Sequence, residues 1–164
     1  MTKRTWKPKT EMDFAALHES GHAIVAAAAG CAVNRVVATQ EGEARIGLTD
    51  YHLPLMSSQA ARAMEIGILC GGKAAENDLG GRQSSRGILQ DQRDIRNQLD
   101  QLQALGSLDF TEEEILSHCE KRAHELIQLN KHAVLKLAGL LSKEGIVEGS
   151  QLQAILSEVR VPKC

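Results

Sequence analysis

Five consecutive residues concentrate the chemistry of this chain: His18-Glu19-Ser20-Gly21-His22. Histidines at i and i+4 share one helix face, one turn apart, so both imidazoles can reach a single Zn²⁺ at about 2.0–2.1 Å. Glu19 projects about 100° round from His18. From there it can hold and deprotonate a metal-bound water while the histidines keep the metal. Phe14, His18, His22, Val25 and Ala29 fall on one stripe of a 3.6-residue period, which faces the interior. Two buried imidazoles without partners are costly, so the pattern asks for a metal.

An open zinc site needs a third protein ligand. By residue type the candidates are His52, Glu65, Glu76, Asp78, Asp91 and Asp94. A helix expected from about Ile88 to Leu105 helps to choose among them. Its inward stripe is Ile88, Ile95, Leu99 and Leu102; Asp91 lies about 40° from the Ile95 direction and Asp94 about 100° away, on the flank. A carboxylate on a core-facing stripe is expensive unless paired or metal-bound, which favours Asp91. A first-turn acid stabilised by the helix dipole is the competing explanation for the same residue.

The elements that must position these residues follow from the same pattern. Glu11 to Gly30 reads as a helix stopped by its glycine. Val33–Ala38 and Ala44–Thr49 read as a hairpin turning at Glu41-Gly42-Glu43, followed by a loop to Pro54. Ser57 or Ser58 caps a helix running to about Asn77, apolar almost all round and therefore central. Residues 77–87 read as a Gly/Ser/Asn loop, either a plain connector or a border of the cleft. The helix after it breaks at Gly106, and Thr111 with Glu114 forms a capping box for the next. Apolar periodicity continues to Leu141 with a break near Asn130, and Ser150 with Gln153 caps a last helix ending near Val159. His118, His124 and His132 share no i, i+4 pair, so no second metal site is expected.

Composition fits a small helical domain. The chain has 164 residues, 43% of them hydrophobic and 24% charged, which suits one folded domain. Its only aromatics are Trp6, Phe14, Tyr51 and Phe110, so the core is built of Ala, Leu, Ile and Val. That points to a mostly α, compact fold with a small β-hairpin after the metal helix. A net charge of −2 gives no basic field for nucleic acid. The longest charge-free apolar run, Ala23 to Val33, falls well short of the roughly 20 residues of a membrane span. No signal-peptide pattern is present. Cys31, Cys70, Cys119 and Cys164 form no CxxC and read as thiols of a cytoplasmic protein. The organisation expected is a flexible basic arm, 1–10, and one domain, 11–160. Its zinc-site part is 11–106 and its C-terminal helical part 107–160.

The run HESGHAIVA, residues 18–26, resembles the zinc helix of the FtsH-type ATP-dependent metalloproteases, in their peptidase domain. Val33-Asn34-Arg35-Val36-Val37 and ARIGLTDYHLP, Ala44 to Pro54, are similar to that family's hairpin and the segment after it. Gly71-Gly72-Lys73-Ala74-Ala75-Glu76 is similar to its buried GGxAAE element. Ser85, Gly87 and Asp91 match the [ST]xGxxxD pattern that holds its third zinc ligand. Leu137-Ala138, Leu140-Leu141, Glu144 and Gly149 echo its final helices. The resemblance implies a His18–His22–Asp91 zinc site with Glu19 as general base and hydrolysis of unfolded polypeptides or peptides. Glu76 is the position most easily confused with a ligand, and its place on a buried helix favours a supporting or structural role over ligation.

Several features depart from the family. No ATPase domain, Walker A motif or membrane anchor is present, so a separate ATPase or a homo-oligomer is the partner implied. Gln92 stands where the family prefers an apolar residue, and Asp94-Ile95 fits that feature after a three-residue shift, which keeps Asp94 in play. Two alternatives remain at the level of sequence. One is a repressor-cleaving zinc protease resembling the ImmA type; the other is a zinc-binding, non-proteolytic adaptor.

Overall fold

The computed structural model describes residues 4–106 and 109–163. Cys164 and the start of the basic arm lie outside them. Thr10 and Asp13 cap each other's backbone N–H groups at 3.1 Å and open α1 (Glu11–Ala28). Gly30, at φ +89°, ends it and turns the chain into β1 (Ala32–Glu41). A tight turn at Gly42 leads to β2 (Ala44–His52), which pairs antiparallel with Glu41 opposite Ala44 and Val36 opposite Thr49. The hairpin is therefore as expected, with longer strands.

Ser57 caps α2 (Ser58–Gly80) and Ser85 caps α3 (Arg86–Ala104). The loop expected over 77–87 is thus shorter, because α2 continues one turn past Asn77 and α3 begins two residues before Ile88. Leu79 packs on the core, Gly80 lies against Phe14, and the left-handed Gly81 supplies the stop. The Thr111/Glu114 capping box opens α4 (Glu112–Leu129) as expected. Asn130 separates α4 from α5 (Lys131–Glu144); its side-chain amide donates to the carbonyls of Leu126 and Arg160 at 2.9 and 2.8 Å.

Two features were not anticipated. The three-residue β3 (Ile146–Glu148) pairs with the far edge of β1, giving the sheet order β2-β1-β3. The last helix, α6 (Gly149–Leu156), has no side-chain cap. The cap expected from Ser150 and Gln153 is absent, because the Gln153 amide instead donates to the Val33 carbonyl at 2.9 Å.

α1 is the centre of the molecule. It packs against α2, α5 and the hairpin, and from Ala16 to Ala26 every residue but Glu19 is buried. Burying that length of helix removes a large apolar area from water at roughly 25 cal/mol per Å². Gly21 and Gly71 form its crossing with α2. A Cβ on Gly21 would stand 2.3 Å from the Gly71 carbonyl oxygen, so only glycine permits this approach. Residues 4–10 form no helix or strand, yet Trp6 lies directly over Gly139 of α5 and Ser142 donates to Asp13. No helix among the described residues is long and apolar enough to cross a membrane.

Candidate metal centre

α1 carries His18 and His22 into the interior, and α3 carries Asp91 to meet them; all three are buried. The two Nε2 atoms stand 3.0 Å apart, and Asp91 Oδ2 lies 2.8 Å from that of His18 and 3.0 Å from that of His22. Each ring is oriented from behind. His18 Nδ1 lies 2.7 Å from Glu76 Oε1, and His22 Nδ1 lies 2.8 Å from the Ile68 carbonyl oxygen. A carbonyl oxygen and a carboxylate oxygen accept, so both Nδ1 atoms donate and both Nε2 atoms face the same point.

Asp91 Oδ2 is buried, and with both Nδ1 atoms donating, neutral rings offer it no proton. Three atoms rich in lone pairs therefore converge on one spot, an arrangement that repels itself unless a proton or a cation stands between them. Without a metal, the proton does this. Burial pushes the His18 pKa down, but the hydrogen bonds to Asp91 and Glu76 outweigh it and lift it to about 10. His22 moves up for the same reason, through the Asp91 charge. Burial opposes ionisation of Asp91, yet the neighbouring His22 and His18 hold its carboxyl down at about 2. A divalent cation would replace the shared proton, and two imidazole nitrogens with one carboxylate oxygen are a donor set that zinc accepts with a position left open. The group fits a metal ion.

Two glycines shape the pocket for the His18 ring. A Cβ on Gly72 of α2 would come within 2.5 Å of Nε2 and Cε1, and one on Gly87 of α3 within 2.9 Å of Cε1. The GGKAAE run can now be read atom by atom. Gly71 permits the helix crossing, Gly72 admits the imidazole, and Ala75 lies under Gly21. Glu76, one turn beyond Gly72, accepts from His18. Ser85 does two jobs at the start of α3: its hydroxyl caps Ile88 N and donates to Glu76 Oε1 at 2.8 Å.

Glu19 stands beside the trio, only half-buried, at the wall of a cleft of about 750 Å³. The Thr49 hydroxyl holds it, lying 2.9 Å from Oε2 and 3.0 Å from the Glu19 backbone oxygen. Two residues back on the same face of β2, Gly47 leaves room for the carboxylate; a Cβ there would meet Oε1 at 2.6 Å. The hairpin thus fixes the orientation of the carboxylate that follows the first histidine.

Of the residues singled out from sequence, His18, Glu19, His22 and Asp91 come together. Glu76 stands behind His18 and outside the convergent group. Asp94 lies on the cleft wall, accepts from Gln90 and does not join the trio. Glu65 is engaged by the Tyr51 hydroxyl and Asp78 by His124, while His52 is exposed. No second group of this kind occurs among the described residues. Cys31, Cys70 and Cys119 are free, buried thiols. Sequence reasoning gave no role to Thr49, Gly47 or the Ile68 carbonyl. A small residue and a hydroxyl alternating on a strand after HExxH was the available signal for the first two; a backbone carbonyl offers none.

No protein-family model matches the chain, and no curated protein matches it either.

Proposed function

We propose that the protein is a zinc metalloendopeptidase that hydrolyses peptide bonds in unfolded polypeptides or peptides. His18, His22 and Asp91 are the ligands and Glu19 is the general base. The observation that carries this reading is the Glu19 carboxylate, fixed by Thr49 at the wall of an open cleft beside the convergent His–His–Asp group. A purely structural metal site needs neither the cleft nor the carboxylate. The resemblance of HESGHAIVA, GGKAAE and the Ser85–Asp91 segment to the FtsH-type peptidases supports it independently. Three free buried thiols suit a cytoplasmic setting. A separate ATPase would be the source of unfolded substrate, and a homo-oligomer is the alternative partner.

Zinc bound to the trio supplies Lewis acidity towards water and the scissile carbonyl. Glu76 and the Ile68 carbonyl keep both ligand rings in the required tautomer. With Oε2 held by Thr49, Glu19 takes a proton from the attacking water through Oε1 as the new C–O bond forms. It then delivers that proton to the amine nitrogen as the C–N bond breaks. β2 ends the sheet on the cleft side, so its outer edge offers an extended peptide backbone partners by strand addition.

The test is zinc per chain by elemental mass spectrometry on untagged protein, followed by cleavage of an already unfolded polypeptide. About one zinc per chain is expected in both wild type and Glu19→Gln. Cleavage should fall in the variant by at least about 100-fold, the lower range for a general base. Absence of bound zinc, or equal cleavage by the variant, overturns the reading.

A further inference from the structure

Four arginines, Arg45, Arg82, Arg86 and Arg93, line the cleft together with five carboxylates, Glu11, Glu19, Glu76, Asp91 and Asp94. Asp91 and Glu76 face the histidines, Thr49 holds Glu19, and Asp94 accepts from Gln90. Two of the arginines are committed to structure. Arg82 and Arg45 share Glu11 at 2.9 and 3.2 Å, tying the start of α1 to β2 and to the loop after α2. Arg82 also covers the Phe14 ring. The other two belong to α3. Arg93 makes one bond, to the Gln90 amide oxygen at 2.9 Å, and Arg86 has no hydrogen bond or ion pair among the described residues.

Their placement gives these two cations a direction. Arg86 directly precedes Gly87, the residue that lies against the His18 ring, and lines the same cleft as the metal group. Arg93 follows Arg86 by seven positions, which puts them within about 20° on the helix and about 10.5 Å apart along it. They form a row along the cleft wall. An extended peptide covers that length in about three residues at 3.3 Å each. Guanidinium groups suit carboxylates through paired N–H donors, and these two are exposed and nearly free to provide them.

We propose that the cleft selects acidic peptides: Arg86 and Arg93 bind carboxylate side chains on the stretch of substrate that runs along α3. This inference rests on the peptidase reading and adds the substrate class to it. The selectivity belongs to the wall of the cleft that α3 forms. It acts through binding and is weakened by salt, as expected for solvated ion pairs.

The experiment compares twin peptides differing by Glu against Gln within three positions of the cleaved bond, with amidated and with free C-termini. With the zinc-loaded full chain, the acidic twin is expected to show a kcat/KM about fivefold higher per pair, the most an exposed ion pair provides. The gain should lie in KM, shrink in high salt, and disappear from the twin ratio in Arg86→Gln/Arg93→Gln. Equal cleavage of the twins overturns the inference and leaves the peptidase standing. So does a preference that survives the double variant, or one that requires a free C-terminal carboxylate. If no peptide is cleaved, the peptidase reading fails and fluorescence anisotropy of the labelled twins decides. Tighter binding of the acidic twin, lost in the double variant, upholds the charge selectivity; equal binding overturns it.

Discussion

Replacing Gly72 with alanine sets helix propensity against the space needed by a ligand ring. In an exposed helix interior this change would stabilise the fold by about 1 kcal/mol. Here the new Cβ would stand 2.5 Å from His18 Nε2 and Cε1, about 0.9 Å inside the 3.4 Å of ordinary contact. The ring has no room to retreat, since Gly87 lies close on α3 and Nδ1 is anchored to Glu76 at 2.7 Å. Overpacking of this kind costs roughly 1–3 kcal/mol. The net loss of stability should therefore be small, about 0–2 kcal/mol. Zinc affinity should fall at least about tenfold, the usual effect of disturbing the groups that orient a ligand. Gly67→Ala is the internal control: it lies on the same helix with nothing within 4 Å of its would-be Cβ. It should gain about 1 kcal/mol and bind zinc as wild type does. Urea denaturation of chelator-stripped protein gives the first quantity, and competition with a chromophoric chelator gives the second. Wild-type zinc affinity in Gly72→Ala, or an equal loss in Gly67→Ala, would refute this account of the site.

Other consequences can be checked separately. Glu76→Gln removes the charge behind His18 and should weaken zinc binding about 10–100-fold with the fold intact by circular dichroism; unchanged affinity would remove Glu76 from the centre. Thr49→Val frees Glu19 and should lower kcat roughly tenfold, the equivalent of one hydrogen bond to a charged group, with zinc content unchanged. The metal-free protein should show a distinct pH dependence. His18 has a raised folded pKa, so its contribution is complete below 6.5 and is lost as pH climbs towards about 10. Asp91 is depressed, so its contribution is present above 3.8 and is lost as pH falls towards about 2. Urea midpoints of the stripped protein should therefore decline on the alkaline side while zinc affinity rises there, because loading displaces the shared proton. A flat alkaline limb would contradict the proton-sharing picture.

What was legible in the sequence had a local physical cause. The HExxH helix, the Gly42 hairpin and the Thr111/Glu114 box are encoded by residues within a few positions of each other. Asp91 was legible too, because a carboxylate on an apolar stripe calls for a partner or a helix dipole, and the two histidines are the partner. Contacts made across the chain were not. Nothing within Ile146–Glu148 distinguishes a strand from a short linker until β1 provides its edge. Gln153 resembles a capping residue until the Val33 carbonyl comes within reach. The doubled glycine at 71 and 72 was legible only as part of a familiar run, because its two different neighbours, a carbonyl and an imidazole, belong to a helix fifty residues earlier.

α3 is attached on one side only. It packs chiefly against α2, and its links to α1 are Asp91 facing the two histidines and Gly87 against the His18 ring. A metal ion at that point would act as a cross-link closing the long stretch of chain from His22 to Asp91. Metal occupancy then governs the local opening of α3 more than the global stability of the domain. In hydrogen-exchange terms, α3 amides should be the first to lose protection on chelation, while the buried amides of α1 hold until the whole fold opens. The helix that carries both Asp91 and the arginine row is thus also the one most easily released, so whenever it opens the ligand set and the cleft wall come apart together.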